Sequence, residues 1–470
     1  MSTPQSPALT PLHKTGWILS ILLPVLLFFS LRGTGGLTPE MAGFFALTIW
    51  AITCWATEIL PPPLVAVMLP IFYFSSGILP EQEAARVALA SPFATVIPWA
   101  VIGALLIGLI TQKTGLARRI VLRCIMLTGS TYPGFFFALF LSGLILTPLV
   151  PSATAKVAIM LALGVGACEA LGLEKGSRDA SVVMVAAFLA ITAPRFGILT
   201  GTLENMIITS QMALVSDIQV SYLDYARHMF VPAMLYSAMS MGLALLMVRS
   251  RGRLDKEALA RQYKEMGPIS REEIIAGVLA VAAVALAAVN ARSGMHLFVV
   301  VAALAFLPGL RILDSSDLGK IAWPMVFFIA GTLTIGAVAN KVGVAAWMAE
   351  AMLPIAQKLD SVGGLSLFAY GSAVGMNFVL TQLAAQSLMI APFTELALSI
   401  GMEPYPLAYS FLLGADQYVF AYEFPLLLLF TSTGHLRMNH CVLLLFARML
   451  LGAPFILGIA LPYWKLIGIA

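Results

Sequence analysis

The chain has 470 residues, 60% of them hydrophobic and 11% charged, with a formal net charge of +4 and a mean hydropathy of +0.93. Soluble domains carry about 25% charged residues, and a soluble fold of this length cannot hide so much apolar surface. Lipid must be the solvent for much of the chain, and a small basic excess gathered in a few loops excludes a nucleic-acid partner.

The stretch 1–12 is polar and uncharged, and the apolar run 17–31 meets Arg32 with no small-residue cleavage site. A first spanning helix is therefore expected there, not a cleaved signal peptide. Further apolar runs follow at about 41–59, 62–79, 95–112, 179–216, 228–248, 272–291, 296–310, 321–340, 405–432 and 440–464. About 20 apolar residues suffice to span a bilayer. Two more stretches, 133–166 and 362–399, are too long for one helix. Pro151-Ser152-Ala153-Thr154 interrupts the first and Thr381-Gln382 the second. Re-entrant hairpins are expected here, because non-helical backbone at membrane depth is tolerated where protein buries it. The expected fold is an all-α polytopic membrane protein with about eleven transmembrane helices and two re-entrant hairpins.

Lys and Arg set the orientation. Arg249, Arg251, Arg253, Lys256, Arg261, Lys264 and Arg271 fall between two runs, and Lys113, Arg118, Arg119 and Arg123 follow another. The positive-inside rule places both groups, and the N-terminus, in the cytoplasm. The first hairpin then enters from the cytoplasm and the second from outside. The expected location is a plasma (inner) membrane.

An internal repeat is legible. Gly103, Gly108, Lys113 and Gly115 recur as Gly331, Gly336, Lys341 and Gly343, each pair 228 residues apart, with the hairpin breaks in register. The segments are a tail and first helix at 1–40, a first copy at 41–248, a basic cytoplasmic linker at 249–270 and a second copy at 271–470. Five spans per copy force the second to insert upside down. Inverted repeats with broken elements are the mark of secondary transporters, with substrate at the midplane between the copies.

Several stretches resemble the divalent anion/sodium symporter family. Thr57-Glu58-Ile59-Leu60-Pro61 is similar to its TEAIP signature, and Gln112–Ile120 to its EKTGLxxRI stretch. Pro151-Ser152-Ala153-Thr154-Ala155-Lys156 resembles its hairpin-tip motif, and Gly201-Thr202-Leu203-Glu204-Asn205 the break in its fifth helix. The resemblance implies a homodimeric carrier of small anions in which two hairpin tips face two unwound helices. It places substrate and ion contacts at Ser152, Ala153 and Thr154; at Gly201, Thr202 and Asn205; at Thr381, Gln382 and Leu383; and from Ala421 to Pro425. The substrate class expected is a di- or tricarboxylate such as succinate, malate, citrate or 2-oxoglutarate. Sulfate or another inorganic oxyanion, or anion exchange without sodium, are the alternatives.

The chain departs from the family at the tips, where Ala153 and Gln382 stand in place of asparagines. Sodium is the one ion the family would supply, and this departure predicts weak or absent sodium dependence. Arg195, Glu204, Asp416 and Glu423 lie instead in apolar sequence around the breaks, and Lys156 follows the first tip. A charge at a helix centre costs about 2.5–3.5 kcal/mol on insertion scales. Two readings of Arg195, Glu204 and Glu423 stand side by side: a buried Arg–Glu pair bridging the copies, or charge coupling to substrate or proton. Glu58 and Lys113 read as helix-end groups that snorkel or cap. His228, His435 and His440 read as outer-surface residues, and Asp314-Ser315-Ser316-Asp317 as a capped loop. Cys54, Cys124, Cys168 and Cys441 form no CxxC pair, so no metal site or disulfide framework is expected. No HExxH or partnered GxSxG pattern appears, so no enzyme and no organic cofactor are expected.

Overall fold

The computed structural model describes residues 11–470 except 58, 129, 150–152, 217, 250–256, 290–293, 379 and 421–423. Eight described helices are long and apolar enough to cross a membrane: Pro39–Thr57, Glu81–Thr114, Tyr132–Leu149, Arg178–Gly197, Tyr222–Met247, Arg271–Val289, Trp323–Lys341 and Met438–Leu466. Thr15–Leu31, Pro62–Ser75 and His296–Phe306 are shorter apolar helices. The chain is an all-helical polytopic membrane protein.

The two overlong stretches are each a pair of helices. Tyr132–Leu149 is followed by Ala153–Ala170, and Val362–Asn377 by Gln382–Ser399. The arms of the first pair both pack on Arg178–Thr192, and those of the second on Tyr405–Ala415. Each of these supporting helices stops halfway. The first passes through two tight turns, Pro194–Gly197 and Leu199–Gly201, before Leu203–Val215 resumes. The second stops at Ala415, and Pro425–Ser432 continues it. The runs expected at 179–216 and 405–432 are thus broken helices.

Gly115 and Gly343 share one backbone role. Both have positive φ, 80° and 83°, which an L side chain adopts only with strain. Each turns the chain out of a long helix into a short one, Leu116–Leu127 or Val344–Leu359. Neither was among the expected elements, and the first is amphipathic. It buries Leu116, Ala117, Val121, Leu122 and Ile125, while Arg118 and Arg123 face outward. That spacing is an apolar stripe at helical period.

The two halves of the chain interleave. Trp323–Lys341 packs against Pro62–Ser75, and Ile97–Thr114 against Gly294–Ala303. A side chain at Gly331 would strike the Ala66 carbonyl, and one at Gly103 would meet Phe298 and the Val299 backbone. Both glycines admit a helix from the other half.

Polar contacts sort into two ends. At one, Arg119 donates to Glu273 at 2.6 Å and to the carbonyls of Met266, Gly267 and Pro268. Lys113 reaches Asp317 at 2.5 Å, and the Arg249 N–H donates to Asp179 at 2.9 Å. Lys113 is therefore an ion-pair partner as well as a helix-end group, while Glu58 lies outside the described residues. Asp314 and Asp317 form a reciprocal helix cap, as their spacing suggested. At the other end, Trp347 donates to the Gly35 carbonyl at 3.0 Å and Tyr463 to that of Arg227 at 2.6 Å.

His228, His435 and His440 do not share a surface. The His228 carbonyl accepts from Trp464 at 3.0 Å. His435 and His440 sit across the molecule, where the Ser181 hydroxyl approaches the His435 carbonyl and the His440 ring, each at 3.4 Å. The reason is the chain path: Met438–Leu466 starts beside Ser181 and crosses to the end where His228 lies.

Candidate functional site

The helix breaks leave backbone groups without helical partners, and side chains close them. Asn205 donates to the carbonyls of Arg195 and Ile198 at 2.9 and 2.8 Å, tying the two sides of the first break together. Asn377, at the end of the second hairpin's first arm, does the same for Ala415 and Gln417 at 2.6 and 3.0 Å. Gly201 is required by close approach, since an added Cβ would lie 2.3 Å from the Arg195 carbonyl oxygen.

Five charged side chains meet around these breaks. Relative exposure is 1% for Lys156, 3% for Arg195, 7% for Glu204 and 0% for Asp416 and Arg448. Arg195 Nη1 lies 3.4 Å from Glu204 Oε1. Its Nη2 donates to Asp416 Oδ1 at 3.1 Å, Tyr418 Oη at 2.8 Å and Gln382 Oε1 at 3.4 Å. Phe196 and Phe424 cover the guanidinium, with ring centroids 4.8 and 5.5 Å away. Thr202 donates to Glu204. Lys156 donates to the Gly201 carbonyl at 3.3 Å. Arg448 binds the other Asp416 oxygen.

Buried charges must be paired or they cost several kcal/mol each. Two arginines, one lysine and two carboxyl side chains of the described residues meet at this centre. Among the described residues, Arg195 Nε and Asn205 Oδ1 are buried with no hydrogen-bond partner.

Of the two glutamates expected to pair with Arg195, only Glu204 is among the described residues. Glu204 shares the first break with Arg195, whereas the contact that crosses to the second break is Arg195–Asp416. Two turns of chain separate Arg195 from Glu204, and the Asn205 tie folds them onto each other. Of the expected contact residues, Gly201, Thr202, Asn205 and Gln382 gather at this centre. Thr381 instead caps Gln382–Ser399 by accepting from the Ala384 N–H, and Leu383 packs against apolar neighbours. Ser152, Ala421 and Glu423 lie outside the described residues, as do the side chains of Ala153, Thr154 and Pro425. Arg448 and Tyr418 were missed. An arginine inside the apolar run 440–464 was itself a legible signal; Tyr418 gave none.

Sodium, which the resemblance implied, needs a shell of oxygens free to coordinate it. At the second tip, Gln382 spends its amide N–H on the Ala415 carbonyl and Tyr418, and its oxygen accepts from Arg195. A cation already stands there, so these residues do not fit Na⁺. Among the described residues no group of three or more His, Cys, Asp or Glu could hold a metal.

Comparison with known proteins bears on the family and the fold. The spinach protein "Dicarboxylate transporter 1, chloroplastic" is 25% identical over 345 residues, covering 67% of this chain and 58% of the relative. Its Arabidopsis thaliana counterpart is 24% identical over 340 residues, covering 67% and 59%. The chain thus spans under two thirds of the length of these relatives. The structure of the Alcanivorax borkumensis YdaH transporter superposes with a TM-score of 0.55 at 14% identity, covering 90% of this chain and 98% of that one, so the fold is shared. The family model described as "Sodium:sulfate symporter transmembrane region" matches residues 13–470, and the chain belongs to that family.

Proposed function

We propose that the protein is a secondary active transporter of small organic dianions, with di- or tricarboxylates as substrates, working by alternating access. The observation that carries this is Arg195: buried at the seam of the two breaks, with no hydrogen-bond partner for its Nε among the described residues. A carboxylate there would complete the pairing, and Lys156, beside the same break, would attract a second. The names of the plant relatives support the substrate class.

The same charges favour exchange over sodium symport. A buried guanidinium short of an acceptor is costly to leave without an anion. Return of the unloaded carrier is then slow, and one anion is released only as another binds. The two copies at 41–248 and 271–470 would form an inverted pair, with the N-terminus and the end bearing Arg119 and Asp317 in the cytoplasm. The protein would act as a homodimer in a plasma membrane.

The test is counterflow in proteoliposomes. Vesicles preloaded with unlabelled succinate, malate, 2-oxoglutarate or sulfate receive external labelled succinate. Fast labelling with internal dicarboxylates, lost in Arg195→Gln, is expected. Exchange of sulfate alone would replace the carboxylate reading with the oxyanion one.

A further inference from the structure

Two arginines share the Asp416 carboxylate, and they differ in how much of each guanidinium is engaged. Arg448 lies in Met438–Phe455, away from both breaks in sequence. Its Nε donates to Ser240 Oγ at 3.2 Å, and its Nη1 to the Asp416 carbonyl at 2.7 Å and Gln417 Oε1 at 3.3 Å. Its Nη2 takes Asp416 Oδ2. The Tyr236 ring lies 4.8 Å from its guanidinium carbon, and the Tyr236 hydroxyl accepts from Gln417 at 2.8 Å. Every nitrogen of Arg448 is used. Arg195 meets the same carboxylate through one nitrogen at 3.1 Å, and its buried Nε has no hydrogen-bond partner among the described residues.

A free aspartate facing an arginine prefers the two-pronged arrangement, in which both oxygens take parallel N–H groups. Asp416 is denied that arrangement with Arg195, because one oxygen and its main-chain carbonyl are already committed to Arg448.

We propose that Arg448 is a positioning residue: by holding Asp416 through side chain and main chain, it keeps the protein's own carboxylate from neutralising Arg195 and leaves the Nε edge of Arg195 to a substrate carboxylate. The proposal rests on the reading of Arg195 as the anion-binding residue. Arg448 itself touches no substrate.

The experiment measures KM and maximal rate of dicarboxylate exchange in proteoliposomes, normalised to inserted protein. Arg448→Gln releases Asp416 Oδ2, while Oδ1 still accepts from Tyr418, so the carboxylate can turn onto Arg195 and KM should rise at least about tenfold, equivalent to about 1.4 kcal/mol, while maximal rate changes little. Arg448→Lys, which keeps the buried charge and serves if the glutamine variant does not insert, should raise KM by a smaller factor. Adding Asp416→Asn to Arg448→Gln should return KM toward the wild-type value, since an amide cannot neutralise Arg195. An arginine that merely braces the fold would lower the yield of inserted protein and leave KM unchanged. Unchanged KM in both single variants, or a double variant as weak as Arg448→Gln, overturns the proposal. Wild-type vesicles that bind and exchange no carboxylate overturn the reading of the site, and this proposal with it.

Discussion

The amide of Asn205 donates to the main-chain carbonyl of Arg195 at 2.9 Å, and this bond makes the first helix break a defined structure. It folds ten residues of chain back so that Arg195 and Glu204 face each other. Replacing Asn205 with Asp presents carboxylate oxygens to two carbonyl oxygens that need a donor. Leaving such buried groups unsatisfied costs about 1–3 kcal/mol. Asn205→Asp should therefore melt several degrees below wild type in detergent and exchange no substrate. An unchanged melting temperature would show that the break is held by other means.

Sodium should be dispensable. The Gln382 oxygen faces Arg195, so the second tip cannot offer it to a metal cation. Replacing sodium with potassium or choline at constant pH and membrane potential should leave dicarboxylate exchange essentially unchanged. Steep, saturable stimulation by sodium would contradict this.

Acid should weaken the contact between the halves at Asp317. Its carboxylate accepts from Lys113 at 2.5 Å and Lys320 at 2.8 Å, and these bonds, Lys113 first, hold its pKa well below the usual carboxylate range. A carboxylate whose folded pKa is depressed stabilises the fold above its unfolded pKa, about 3.9 for Asp, and that contribution is lost as pH falls through the folded value. Asp317→Asn should lower the melting temperature at pH 7. It should also make the decline of stability below about pH 4 shallower than in wild type. Parallel pH profiles would show that the contact contributes nothing.

Orientation is open to chemistry. Arg261→Cys should react with an impermeant thiol reagent only from the cytoplasm, and Asp360→Cys only from outside. The native cysteines Cys54, Cys124, Cys168 and Cys441 are all buried, so background labelling should be low. Reaction of both from one side would exclude the inverted arrangement.

The hairpins and breaks were legible because lipid leaves a chain few options: a polar, small-residue interruption in an overlong apolar run must be a hairpin or an unwound turn. Arg195, Glu204 and Gln382 were legible because such groups are rare in that setting. Their partners were not. Which carboxylate meets Arg195 depends on how Tyr405–Ala415 docks against the first break, and apolar packing decides that without a sequence mark. Arg448 went unread because it lies in a helix outside the breaks, where the argument from family motifs does not look. Leu116–Leu127 was overlooked because its charges were read as loop topology, although its apolar residues recur at helical spacing.

The interleaving at Gly331 and Ala66 bears on how the protein is made. Pro62–Ser75 leaves the ribosome more than two hundred residues ahead of the helix that covers it. Until Trp323–Lys341 is inserted, the bare groove beside Ala66 faces lipid, and the first half exists as a set of inserted helices without its final neighbours. Native packing can begin only when synthesis of the second half is well advanced. A chain truncated at the linker should be inserted into the bilayer yet cleared by quality-control proteases, whereas two separately expressed halves, each supplying the missing surface of the other, should protect one another from degradation.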